Sequence, residues 1–171
     1  TDVCVVNFFT DGKMTVKDAS ICITGIDAYL TGTFYTGYSN ATFENVTLTA
    51  KYGGCIQSAG TTTLKNCNIK VTDTRVGEGT HQNCAVAAQE GANVTVESGS
   101  YSAPYAAYVY SSGGTINIKG GTFTGKLRAD QPKEGSSELN ITGGTFSVNP
   151  EEFVAKGYTT TQNGDWYTVS K

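Results

Sequence analysis

The sequence predicts an all-β fold: a single-stranded right-handed parallel β-helix with three strands per turn and rungs of about 22 residues, closed at its C-terminal end by a short helix and a hairpin. Three observations carry this prediction. Six segments superimpose as one repeat, their apolar anchors recur at close to one period, and glycine-rich bends fall at one place in that repeat.

The six segments are MTVKDASICIT (14–24), ATFENVTLTA (41–50), TTLKNCNIKV (62–71), VTVESGSYSA (94–103), INIKGGTFTG (116–125) and LNITGGTFSV (139–148). Each alternates apolar and polar residues, breaks at a polar or glycine pair and alternates again, which reads as two short strands joined by a bend. The anchors Val16, Phe43, Leu64, Val96, Ile118 and Ile141 lie 27, 21, 32, 22 and 23 residues apart, so one base period with two insertions accounts for every gap. A third strand precedes the pair in GCIQSAG (54–60), AVAAQEG (85–91) and AYVYSSG (107–113). Inward side chains of such a stack meet their counterparts one turn away, roughly 4.8 Å along the axis. The alignment predicts a column of Val46, Cys67, Tyr101, Phe123 and Phe146 beside a second of Leu48 and Ile69. About seven turns give a rod on the order of 35 Å.

Gly99, Gly120, Gly121, Gly143 and Gly144 fall at the bend, where a positive φ is expected. The excess lengths read as loops leaving the stack: Ala28 to Ser39, Asp73 to Asn83, and the charged Lys126 to Ser137. The chain is one domain, 1–171, with an N-terminal strand or cap over 1–12, rungs over 13–148 and a C-terminal cap over 149–171.

Both ends of a β-helix expose strand edges and core, and both need covering. At the C-terminus Asn149 caps a short helix with Pro150 at its first position and Gly157 past its end, laying Phe153 and Val154 over the last rung. Asn163-Gly164 then signals a hairpin of the type I′ kind, with Trp166 packed in its second strand. At the N-terminus the apolar segment containing Val3, Val5, Val6, Phe8 and Phe9 either folds over its own first rung or adds to the edge of another copy.

Composition narrows the function. Charged residues are 16% of the chain, the formal net charge is −3, and no Lys/Arg run exists that would neutralise a row of phosphates, so neither nucleic acid nor an anionic membrane is expected as a partner. No apolar stretch approaches the roughly 18 residues that cross a bilayer, and membrane insertion is not expected. Five cysteines (Cys4, Cys22, Cys55, Cys67, Cys84) without a C-x-x-C pair, beside a single His, argue against zinc and leave at least one thiol free or paired between chains. Neither a metal nor any other cofactor is expected.

Enzymes that cleave polysaccharides on this architecture need paired carboxylates, or a cation site with a base. Outward strand positions here are instead Lys65, Thr95, Asn117 and Asn140, and the isolated acids Asp18, Glu44 and Glu97 sit at bends. The loop set Asp73, Arg75, Glu78 and His81, with Arg128 and Asp130 from a later loop, is the best catalytic cluster the chain offers, and nothing orients His81 as a base. Arg75 and His81 read more readily as ligand contacts on a rigid scaffold. Tyr29, Phe34, Tyr35 and Tyr38 in the first insertion, and Tyr105, Tyr108 and Tyr110 before the fifth rung, suit sugar rings or protein interfaces, or else point inward as core.

The stretch GGTFSVNPEEFVAKGYTTTQNGDWYTV, preceded by repeated GGTF bends, resembles the C-terminal ends of right-handed β-helix domains in large bacterial surface proteins and some phage particle proteins. The resemblance implies an extracellular, cell-surface or virion setting, in an adhesin, fibre or particle decoration, and carries over no functional residue. Three functions stay open: a non-enzymatic structural or adhesive module that associates with itself, a carbohydrate-binding module for surface glycans, and a polysaccharide lyase or hydrolase.

Overall fold

The structure, a computed structural model, describes residues 6–8, 12–23, 34–37, 39–74, 83–132 and 135–171. After β1 (Val6–Phe8) the chain winds through a first turn of β2 (Lys13–Lys17), β3 (Ser20–Ile23) and β4 (Phe34–Thr36). The second turn is β5 (Asn40–Glu44), β6 (Thr47–Ala50) and β7 (Gly54–Ser58), and the third is β8 (Thr61–Lys65), β9 (Cys67–Val71) and β10 (Cys84–Ala88). The fourth is β11 (Ala92–Val96) and the long β12 (Gly99–Val109), and the fifth is β13 (Gly114–Ile118) and β14 (Thr122–Ala129). Then come β15 (Ser137–Ile141), β16 (Gly144–Phe146), a 3₁₀ turn at Glu151–Phe153, and the hairpin of β17 (Thr159–Asn163) and β18 (Trp166–Ser170).

Stacking these turns makes a parallel β-solenoid of three sheets. The first is β2-β5-β8-β11-β13-β15. The second runs from β3 through β6, β9, the first half of β12, the first half of β14 and β16. The third runs from β1 through β4, β7, β10 and the second halves of β12 and β14. There are about five turns rather than seven, which shortens the rod to roughly 25 Å at the usual strand spacing. The predicted anchors stack in register: Val16, Phe43, Leu64, Val96, Ile118 and Ile141 form one column of the first sheet. Phe34 and Tyr35, expected in a loop, lie on β4. Arg128, also expected in a loop, lies on β14.

The corner between the first and second sheets is built in two ways. In early turns Asp18, Asn45 and Asn66 take it with φ of 52°, 56° and 48°, a conformation these short polar side chains tolerate. They also bond to one another along the axis: Asn45 Nδ2 donates to Asp18 Oδ1 and Asn66 Nδ2 to Asn45 Oδ1, each at 2.9 Å. In later turns the positive φ moves one residue on, to Gly99, Gly121 and Gly144. A Cβ on Gly99 would stand 2.1 Å from the Cys67 carbonyl oxygen, so no side chain fits. Gly120 and Gly143, also expected at positive φ, do not have it; backbone oxygens at 2.8 and 2.4 Å from their would-be Cβ atoms explain the glycine there.

This shift divides the predicted aromatic column into two. Val46 and Cys67 align with Gly99, Gly121 and Gly144, whereas Leu48 and Ile69 align with Tyr101, Phe123 and Phe146. A medium side chain beside a medium one gives way to glycine beside an aromatic ring, and the rings lie against the vacated space, with Phe146 Cζ 3.2 Å from where a Cβ of Gly144 would sit. Volume is conserved, as close-packed cores require. The rings stack, Tyr101 on Phe123 at 4.9 Å and Phe123 on Phe146 at 5.1 Å between centroids. The Tyr101 hydroxyl donates to the Ser98 carbonyl at 2.9 Å, which satisfies its one polar atom.

On the outside of the first sheet one column alternates in charge: Lys17, Glu44, Lys65, Glu97, Lys119. Lys17 and Glu44 approach to 2.7 Å, Lys65 and Glu97 to 3.5 Å. The bond to Glu44 raises the Lys17 ammonium above its ordinary value. The acids are therefore explained by their counterparts one turn away as much as by the bend.

The ends differ. At the C-terminus Asn149 Oδ1 accepts from the Glu151 N–H at 3.1 Å, but the helical segment is a single 3₁₀ turn, Glu151–Phe153, with Pro150 rather than Asn149 at its N-cap. Phe153, Val154, Tyr158 and Tyr167 pack on the core, and Val154 bridges to Ile141. Trp166, predicted to pack in the cap, is 37% exposed; the register turns Tyr167 and Val169 inward instead. The two hairpin-turn residues are Gly164 and Asp165, and only Gly164 has a positive φ, at 62°. That is the pattern of a type II′ turn, not I′, which needs positive φ at both. At the N-terminus β1 pairs with β4 of its own rod and so extends the third sheet, while Met14, Val16 and Ile21 of the first turn are half-buried.

Phe123→Ala removes a ring that also fills the space over Gly121, and it should cost about 3–5 kcal/mol in urea unfolding. Glu44→Lys puts three ammonium groups on consecutive turns, so the melting temperature should fall at low salt and recover toward wild type in about 1 M salt, where the Debye length is about 3 Å.

Candidate functional site

A second buried cluster lies apart from the solenoid core, on the outer side of the third sheet: Cys84, Ala87, Tyr105, Tyr108 and Tyr110. Local chain geometry builds it. Pro104 opens the segment, and the pairing of β12 with β14 shifts register between Ser102 and Tyr105 and again between Tyr105 and Ala107. Such an irregularity lets Tyr105 and Tyr108, three residues apart, face the same side, which a regular strand forbids. Tyr110 then follows Tyr108 at the ordinary two-residue interval. The rings of Tyr105 and Tyr108 stack with centroids 5.2 Å apart, and Tyr110 tilts against Tyr108 at 4.3 Å. The three residues are 7%, 1% and 8% exposed, so the rings are spent chiefly on each other.

The next turn closes the cluster with charge. Register sets Arg128 beside Tyr108. Its Nε donates to Asp130 Oδ1 at 2.6 Å, its Nη1 donates to the Tyr105 hydroxyl at 3.3 Å, and the Tyr108 hydroxyl donates to Asp130 Oδ2 at 2.6 Å. The guanidinium lies 5.4 Å from the Tyr108 ring centre and 5.9 Å from that of Tyr105, with the Lys126 ammonium 6.0 Å from Tyr105. Burial first, then the bond to Asp130, push the Tyr108 hydroxyl well above its ordinary value; the bonds to Tyr105 and Asp130 do the same for Arg128. Tyr108 stays a neutral donor and Arg128 a fixed cation. The arrangement offers solvent a cation held over aromatic rings, since the Arg128 side chain remains 48% exposed, and such a plate suits an anionic or sugar-like contact better than proton transfer.

The structure thus brings together Tyr105, Tyr108 and Tyr110. It places Phe34 and Tyr35 on β4 and Val6 and Phe8 on β1. Tyr29, Tyr38, Arg75, Glu78, His81, Val3, Val5 and Phe9 lie outside the described residues. The bond between Asp130 and Tyr108 escapes a reading of either segment alone. Its signal is the spacing of 22 residues, one rung, which makes the two neighbours in the stack. Among the described residues, no three His, Cys, Asp or Glu side chains are grouped to hold a metal ion, and no helix is long and apolar enough to cross a membrane.

The described thiols Cys22, Cys67 and Cys84 differ in surroundings. Cys22 is exposed, whereas Cys67 and Cys84 are buried. Cys67 donates to the Phe43 and Lys65 carbonyls at 3.4 Å, and burial raises its thiol. Burial pushes the Cys84 thiol up to about 12, against the opposing effect of a hydrogen bond with Tyr110. At pH 8 a thiol reagent followed by peptide mapping should mark Cys22 within minutes and Cys67 and Cys84 only after unfolding. Because the folded Cys84 holds its proton where an unfolded thiol ionises, its contribution to stability is full below pH 9.0 and lost progressively toward about 12. Cys84→Ala should flatten that part of the stability profile in urea titrations.

Compared with known proteins, the chain matches no family model, no curated protein and no solved structure.

Proposed function

We propose that the protein is a non-enzymatic structural or adhesive module of an extracellular assembly, a cell-surface protein or a phage particle, and that it associates with copies of itself. The observation that carries this reading is the order of its outer faces. Thr15, Thr42, Thr63, Thr95, Asn117 and Asn140 form one column of the first sheet. Ser20, Thr47, Asn68, Ser100, Thr122, Thr145 and Thr168 form another on the second. Hydroxyls and amides repeated at the rung spacing on a rigid backbone lose little entropy on contact, and they add weak interactions along an extended partner. The ionisable groups point the same way: Asp130 is held by two donors and the buried thiols keep their protons.

A second reading, glycan contact, is favoured by the exposed guanidinium over Tyr105 and Tyr108. Light scattering across a concentration series should give a mass above the 18.0 kDa of one chain, and a panel of polysaccharides should yield no new reducing ends. A monomer at every concentration would count against self-association, and sugar release would overturn the non-enzymatic reading. Retention on a glycan array that Arg128→Ala abolishes would establish the second reading.

A further inference from the structure

We infer that β17 is the docking edge for a second copy of the chain, which pairs with it antiparallel across a two-fold axis centred on Thr161. The inference rests on the self-association just proposed and names its surface. A strand edge carries unpaired N–H and C=O groups, and folded proteins defend such edges with charge, brevity or cover. The other described edges are defended in these ways, the uncovered half of β14 by Lys126 and Arg128. Across a two-fold centred on Thr15, β2 would set Lys13 against Lys17 twice. The edge of β15 is closed at Ile141 by the Val154 bridge and by the Ala155 N–H, which donates to the Ile141 carbonyl at 2.9 Å. β1 and β3 are three and four residues long.

β17 has no such defence. Its five residues, Thr159, Thr160, Thr161, Gln162 and Asn163, include no charge and no proline, four are exposed, and among the described strands it is paired only with β18. Two-fold pairing sets Thr161 against itself, Thr160 against Gln162 and Thr159 against Asn163. No like charges meet across this pairing. The outward column Thr122, Thr145, Thr168, Thr161 then continues through the axis into the second copy, and facing threonines are a favourable cross-strand pair. Trp166, the large apolar side chain left 37% exposed, stands opposite Asn163 and so one strand from Thr159 of the second copy.

The test is a charge exchange at the axis in the full chain. Thr161 is exposed, so Thr161→Lys and Thr161→Glu should keep the wild-type circular dichroism and melting temperature. Sedimentation equilibrium should give a wild-type dimer, each variant alone weakened at least about tenfold, and a 1:1 mixture of the two restored to dimer. If wild type associates and both variants associate equally well, the β17 interface is overturned while self-association stands. If wild type stays monomeric to millimolar concentration, both are overturned.

Discussion

The structure depends on one constraint: in a parallel stack held in register, every residue lies about 4.8 Å from its own counterpart in the next turn. Each position must therefore be compatible with itself, repeated. Apolar residues satisfy this inside without difficulty, and threonine and asparagine satisfy it outside because each can both donate and accept. Charge cannot, and a column of one sign would repel along the whole rod. Low charge content and the sign alternation from Lys17 to Lys119 are two answers to that problem.

The same constraint explains how the core changes along the axis. Corners turned by Asp18, Asn45 and Asn66 keep a side chain at the following residue, so the column beside it holds Leu48 and Ile69. Once glycine takes over at position 99, the emptied space must be filled from the neighbouring column, and aromatic rings fill it. A backbone choice at a bend thus sets a side-chain size two residues away, and stacking carries that choice to the following turns.

Much of the fold was legible because period and pattern are local. The anchor columns and the third-sheet strands follow from residues near one another in the chain. What was not legible depends on register to the nearest residue. The difference between Val46 stacking on Cys67 and on Tyr101 is two positions, and the alignment cannot choose between them without the glycine φ values. The exposure of Trp166 depends on register in the same way, since alternation in a hairpin inverts if its turn moves by one residue. At the tyrosine cluster the composition was visible, but its closure by Arg128 and Asp130 needed the bulge in β12.

The alternating column from Lys17 to Lys119 has a further consequence, because its period is two turns while that of the backbone is one. Duplicating a single rung inside the rod would preserve every apolar column yet bring two equal charges face to face at the junction. Duplicating two rungs would not. The rod can therefore lengthen or shorten without electrostatic penalty only in even steps, a parity rule that the backbone alone does not impose.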